Sequence, residues 1–197
     1  MSVPARLDTG PWPAPGQWTY ADYCKLPDDG RRYEVIRGFL YVNPTPSVTH
    51  QRVLGRLFVM LDRLVLAEAL GEVLFAPVDV LLPREIAAPV QPDLMFFRTG
   101  NRPGVEAMNF KGVPDLVVEI LSPSTRRLDR SIKLAAYRDA GVPEFWLADP
   151  RSSSLSIFGF GEDGTSYAEL SRGGVGEAIE SRVLPGLRIE VSEIFPR

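Results

Sequence analysis

The sequence is short of cysteine, histidine and long apolar runs, and each shortage removes a class of protein. Cys24 is the only cysteine. It cannot form an intramolecular disulfide framework or a cysteine-rich zinc site. His50 is the only histidine, and a lone histidine without neighbouring ligands is weak evidence for a site. Lys, Arg, Asp or Glu interrupts every apolar stretch before the roughly 18 consecutive apolar residues that a membrane span requires. No internal repeat, low-complexity block or glycine-rich phosphate loop of the dinucleotide or nucleotide-triphosphate type is present, so nucleotide cofactors lose support. The net charge of −3 and pI near 5.3 argue against a protein that coats nucleic acid with its whole surface. A local basic patch remains compatible with that balance.

What is present fits one globular domain. A chain of 197 residues, 45% of them hydrophobic and 24% charged, is long enough to bury a real core. Residues 1–18 hold Pro4, Pro11, Pro13 and Pro15 without apolar periodicity and read as a flexible N-terminal arm, leaving 19–197 as the domain. No basic-then-apolar leader is visible, so the expectation is a soluble, cytoplasmic protein.

Thr19 and Asp22 suggest a capped short helix through Leu26, and Arg32–Val42, with Gly38 in its middle, a hairpin. From Ser47 to Leu70 apolar residues recur at helical spacing, with His50 in the first turn. Val73–Leu82 reads as an edge or bulged strand containing Pro77, with Asp79 facing solvent. Pro92–Phe97 is a short apolar strand, Thr99–Val113 a loop, and Pro114–Leu121 a strand. In Arg126–Gly141, Leu128, Ile132, Ala135 and Ala136 mark the packing face of a helix, and Glu144–Ala148 completes a βαβ unit with a right-handed crossover. Leu155–Phe160 and Ser166–Leu170 form a hairpin, and Val183–Val191 a last strand. The fold class is α/β (α+β), a mixed central sheet flanked by helices.

One residue breaks the pattern of the Pro114–Leu121 strand. Glu119 stands among Leu116, Val117, Val118, Ile120 and Leu121, on a strand apolar on both faces. Burying a carboxylate costs several kcal/mol unless donors, a cation or a metal replace its hydration, so Glu119 needs a partner. Asp115 shares its strand but lies about 13 Å away at ~3.3 Å per residue, too far to share an ion. Asp93, on another strand, can converge with Glu119 because neighbouring strands run ~4.8 Å apart.

A Pro-Asp followed 26 residues later by an acidic residue on an apolar strand and then a helix resembles the PD-(D/E)XK nuclease superfamily. The usual lysine two residues after the acid is replaced here by Leu121. The runs Tyr33-Glu34-Val35-Ile36-Arg37-Gly38, Pro92-Asp93, Val118 to Thr125, Asp129-Arg130 with Lys133 and Tyr137, and Gly141 to Trp146 with Asp149-Pro150 together resemble the Uma-type family of restriction endonuclease-like proteins, over about residues 19–191. The resemblance implies a restriction endonuclease-like core. Asp93 and Glu119 would bind Mg²⁺ or Mn²⁺, and Lys133, moved from the strand to the helix, would assist the attacking water or the transition state. It further implies Glu34 as an additional ligand or water-positioning group, nucleic acid (DNA) as partner, and a homodimer.

Arg130 flanks Lys133 as a candidate phosphate contact, Tyr137 either holds the lysine or packs, and His50 is structural or supports the site. Plainer readings stand beside these: Asp129 and Lys133 as an exposed i, i+4 pair, and Glu34 as an exposed strand residue. At the level of the whole chain the alternatives are a catalytically degenerate nucleic-acid- or protein-binding module, or a hydrolase of small phosphate esters.

Overall fold

The computed structural model describes residues 12–102 and 107–195; positions 1–11 of the expected arm and 103–106 of the expected loop lie outside them. Runs rich in Val, Ile, Leu and Phe build a six-stranded sheet in the order β10-β9-β8-β7-β5-β3. Its members are β3 (Gly71–Phe75), β5 (Leu94–Arg98), β7 (Leu116–Ile120), β8 (Glu144–Asp149), β9 (Ser154–Phe160) and β10 (Tyr167–Gly173). β7 pairs parallel with β8 and antiparallel with β5, so the sheet is mixed, as the βαβ pattern requires. Every residue of β7 and β8 is buried, the condition of strands covered on both faces.

Strand pleating sends alternate residues of β7 into two apolar layers. Leu116, Val118 and Ile120 meet Val53, Leu57, Leu61 and Val65 of the long helix α2 (Val48–Ala67). Val117 and Leu121 meet Leu128, Ala136 and Tyr137 of the crossover segment. Glu119 has the parity of the second layer.

The crossover segment differs from a plain helix. It opens with a π-helical turn, Leu128–Lys133, and continues as α3 (Leu134–Ala140), which Gly141 ends in the left-handed conformation at φ 89°. Its buried face carries Asp129, Lys133 and Tyr137 beside Leu128, Ala136 and Ala140, whereas Ile132 and Ala135 are only half-buried. At a spacing of four, an α-helix drifts around its axis. The wider π turn offsets that drift and aligns the three polar residues.

Four other expectations are corrected. Val73–Leu82 is not one strand: β3 ends before Pro77, and β4 (Asp79–Leu81) leaves the sheet to pair in parallel with β6 (Asn109–Lys111), a strand inside the expected loop. Proline supplies no N–H to a ladder, which explains the break. Asp79 does not face solvent but accepts from Gln91 Nε2 at 2.7 Å and Tyr23 OH at 3.1 Å. The C-terminal strand is shorter than expected: β11 (Ala178–Glu180) pairs with β12 (Arg188–Glu190), with Pro185-Gly186 in the connection and α4 (Val191–Ile194) following. Contrary to the reading that no such loop is present, Gly159, Gly161 and Gly164 do have dinucleotide-loop spacing; they lie in the β9–β10 hairpin, followed by β10 and not by a helix.

The N-terminal hairpin forms as read, β1 (Arg32–Ile36) with β2 (Phe39–Asn43), after the capped helix α1 (Tyr20–Tyr23). Arg37 and Gly38 both take positive φ in its two-residue turn, the geometry that suits strand twist. A Cβ on Gly38 would lie 2.3 Å from the Gly16 carbonyl. That close approach lets Gly16 N donate to Gly38 O at 2.8 Å, while Trp12 stacks on buried Trp18. Residues 12–18 of the expected arm therefore pack against the hairpin.

Candidate active site

Five elements deliver acidic, basic and phenolic side chains to one place. The β5–β7 register pairs Leu94 with Val118, and one step further puts Asp93 across from Glu119. Asp93 Oδ2 accepts from Ile120 N at 2.8 Å and lies 3.0 Å from His50 Nε2, at the start of α2. Glu119 Oε1 accepts from Lys133 Nζ at 3.0 Å and Tyr137 OH at 2.7 Å. Glu34 Oε1, on β1, lies 3.0 Å from the same ammonium, and Asp129 Oδ1 3.8 Å from it. Glu34 is itself held by Asn43 Nδ2 and Gln91 N, each at 2.7 Å.

Desolvation governs the electrostatics. Burial pushes Glu119 well above the ordinary carboxylate range; Lys133 opposes this, while Asp93, Asp129 and Glu34 add to it. Burial likewise raises Asp129, to about 6, against the pull of Lys133 and Thr125. Asp93 goes the other way, because the hydrogen bond and charge of His50, with Lys133 and Ile120 N, outweigh burial. Lys133 is buried, which favours the neutral amine, yet four surrounding carboxylates hold its pKa above the usual value and keep it charged. Burial and the adjacent Glu119 carboxyl push the Tyr137 phenol up, so it serves as a donor.

A cavity of about 160 Å³ opens onto this cluster, lined by Arg32, His50, Asp93, Glu119, Asp129 and Lys133 together with Ser122, Ser124 and Thr125. Among the described residues no donor bonds Asp93 Oδ1 or Glu119 Oε2; Arg32 stands 4.0 Å from the former. The cluster carries more carboxylates than cations, which suits a divalent ion. No group of three or more His, Cys, Asp or Glu side chains among the described residues is placed as a metal cage. What the cavity offers a hard cation is two carboxylates, Asp93 and Glu119, fewer ligands than a protein cage supplies and the number that a cation keeping several waters can use.

Asp93, Glu119, Lys133, Tyr137 and His50 are thus brought together. Glu34 is fully buried, contrary to its reading as an exposed strand residue, and stands behind Lys133 instead of lining the cavity. Lys133 is 3% exposed, so its reading as a surface ion pair also fails. Arg130 is not in the cavity wall and approaches Asp149 at 3.4 Å. Asp115 is engaged elsewhere, by Arg98 N and Asn101 Nδ2. Asp129 and Arg32 were missed. Spacing of four among Asp129, Lys133 and Tyr137, interleaved with Leu128, Ala136 and Ala140, was the available signal for Asp129.

Comparisons with known proteins bear on the fold and the family. A solved structure described as "a putative nuclease belonging to DUF820 from Anabaena variabilis ATCC 29413" superposes with a TM-score of 0.76 at 17% identity, covering 90% of this chain and 97% of that one. At that identity the likeness concerns the fold. No curated protein matches the chain. The model of the Uma2 family, described as "Putative restriction endonuclease", matches residues 20–192. Since that match spans most of the 197 residues, the chain belongs to the Uma2 family.

Proposed function

We propose that the protein is a divalent-metal-dependent nuclease that hydrolyses phosphodiester bonds of DNA and works as a cytoplasmic homodimer. Asp93 and Glu119 would hold Mg²⁺ or Mn²⁺ with the oxygens left free in the cavity. When bound, such an ion would supply positive charge against the scissile phosphate and make a nearby water more acidic. His50 and Ile120 N fix Asp93 Oδ2, which keeps the other oxygen turned to the cavity. Lys133 places its ammonium where negative charge grows on the phosphate and orients the attacking water. Glu34, anchored by Asn43 and Gln91, positions Lys133, and Tyr137 steadies Glu119. The migration of the lysine from strand to helix is chemically tolerable because the charge, not the backbone element, acts on the substrate.

The observation that carries this reading is the meeting of Asp93, Glu119 and Lys133 at one cavity, with an uncommitted oxygen on each carboxylate. The test uses purified protein with Mg²⁺ or Mn²⁺ on plasmid DNA, oligonucleotides of DNA and RNA, and small phosphate diesters. Metal-dependent cleavage is expected, together with its loss in a folded Glu119→Gln variant. A protein that neither binds Mn²⁺ nor nicks any nucleic acid rejects the reading.

A second reading, a binding module that has lost catalysis, is favoured by the closed contacts of Glu119 Oε1 with Lys133 and Tyr137. Salt-dependent DNA binding that persists in an Asp93→Asn, Glu119→Gln double variant without cleavage by the parent would select it.

A further inference from the structure

The wall formed by Ser47, His50, Ser122 and Pro123 has two sides, since the same four residues line both the acidic cavity and a neighbouring groove of about 350 Å³. The chemistry of the groove is the reverse of the cavity's. Thr49, Leu121, Arg126, Pro150 and Arg151 complete its lining, and no carboxylate contributes to it. The nearest acid, Asp149, is already matched by Arg126, whose NH1 and NH2 reach it at 2.8 and 2.6 Å. Arg130 adds a further cation to Asp149 at 3.4 Å. The Arg151 side chain is exposed and pairs with no described residue. Ser47 and Thr49 stand at the N-terminus of α2, 20 residues long, where the first amide N–H groups and the helix dipole add positive potential.

A polyanion approaching the cavity meets Asp93, Glu119 and Asp129 and is repelled unless cations lie beside them. The groove, which shares four lining residues with the cavity, supplies such a cation in Arg151. Resting on the reading of the cavity as a phosphodiester site, we propose that the groove holds the nucleic-acid backbone flanking the scissile phosphate. Arg151 is its principal phosphate contact, and Thr49 with the α2 N-terminus supports it. Contacts of this kind position the strand and carry no base information.

Binding by the full chain, measured by fluorescence anisotropy on labelled single-stranded and duplex oligonucleotides with a chelator present, tests this apart from catalysis. Across about 50 to 200 mM salt, each lost phosphate contact removes roughly 0.9 from the slope of log affinity against log salt for duplex and roughly 0.7 for single strands. Arg151→Ala is expected to lower the slope by that amount and to weaken binding severalfold. Arg151→Lys is expected to restore both, and Thr49→Ala to weaken binding without changing the slope. Arg188→Ala, in the β11–β12 pair where Arg188 meets Glu180 and Glu190, is expected to bind like the parent.

An Arg151→Ala protein with parental affinity and slope overturns the proposal, and so does a parent that binds neither oligonucleotide. Cleavage by the parent with Arg151-independent binding removes the groove and keeps the nuclease. Arg151-dependent binding by a protein that cleaves nothing keeps the groove and removes the nuclease.

Discussion

Glu119 and Glu144 stand on adjacent parallel strands, both buried, and their surroundings differ in kind. Glu144 is fully furnished with neutral donors. Trp146 Nε1 and Ser181 Oγ reach its Oε1 at 2.6 and 2.7 Å, and the Arg182 and Val183 amides reach its Oε2 at 2.8 and 3.3 Å. It ties β8 to the segment leading into the C-terminal connection. Glu119 has a cation and a phenol on a single oxygen, crowded acids nearby and a cavity at the other. Burial of an acid therefore does not mark a site by itself. An acid whose hydration is replaced on both oxygens holds the fold together, and one whose hydration is replaced on one oxygen is left with something to bind.

The sharpest way to break this contrast is to neutralise each acid in turn. Glu119→Gln is expected to lower metal-dependent cleavage by roughly a thousandfold or more, about 4 kcal/mol of barrier, while the melting temperature moves by only a few degrees. Glu144→Ala is expected to do the opposite. It strands four donors, those of Trp146 and Val183 buried, and costs about 3–5 kcal/mol of stability, measured by denaturant unfolding, with activity per folded molecule unchanged. Equal loss of activity in both variants would erase the distinction.

The acids around Lys133 give a smaller effect that depends on pH. Asp129 binds its proton more tightly folded, near pH 6, than unfolded, near 3.8. Between those values the native state holds more protons than the unfolded state, so its contribution to stability is full below about pH 4 and is lost as pH rises through 6. Metal-free protein is expected to lose up to about 3 kcal/mol over that window from this group. Asp93, lowered by its partners, already makes its full contribution there. Asp129→Asn flattens the decline in urea unfolding followed from pH 4 to 7, and an unchanged slope refutes the assignment.

The smallest expected change comes from Tyr137→Phe. Losing one donor to Glu119 Oε1 costs about 1 kcal/mol, roughly a fivefold drop in cleavage rate. A much larger drop would give Tyr137 a direct part in the chemistry.

The strand order around Glu119 and its facing acid were legible because burial and pleating leave signatures of period two, and a carboxylate in such a run violates them visibly. The hairpin turn at Gly38 and the βαβ unit were legible for similar local reasons. What escaped depended on non-local contact. Glu34 alternates with Tyr33 and Val35 as an outward residue would, yet β1 is buried along Tyr33–Ile36, because the crossover segment brings Lys133 against Glu34. In that segment Ile132 and Ala135 announced an apolar face, whereas the buried face was set by Asp129, Lys133 and Tyr137, whose mutual compensation no hydrophobic pattern records. Pro77 was visible, but the departure of β4 to pair with β6 was decided by a partner about thirty residues away in sequence.

The π-helical turn makes Lys133 sensitive to counting. A lysine on a strand is aimed by simple alternation, but one carried on a helix is aimed by the number of residues that precede it. Each residue gained or lost within the helix ahead of Lys133 swings it by roughly a quarter turn about the helix axis. The helical residues that lead into Lys133 thus set its direction by their number as well as by their kind. In this protein the chemistry of the site is written partly as a ruler.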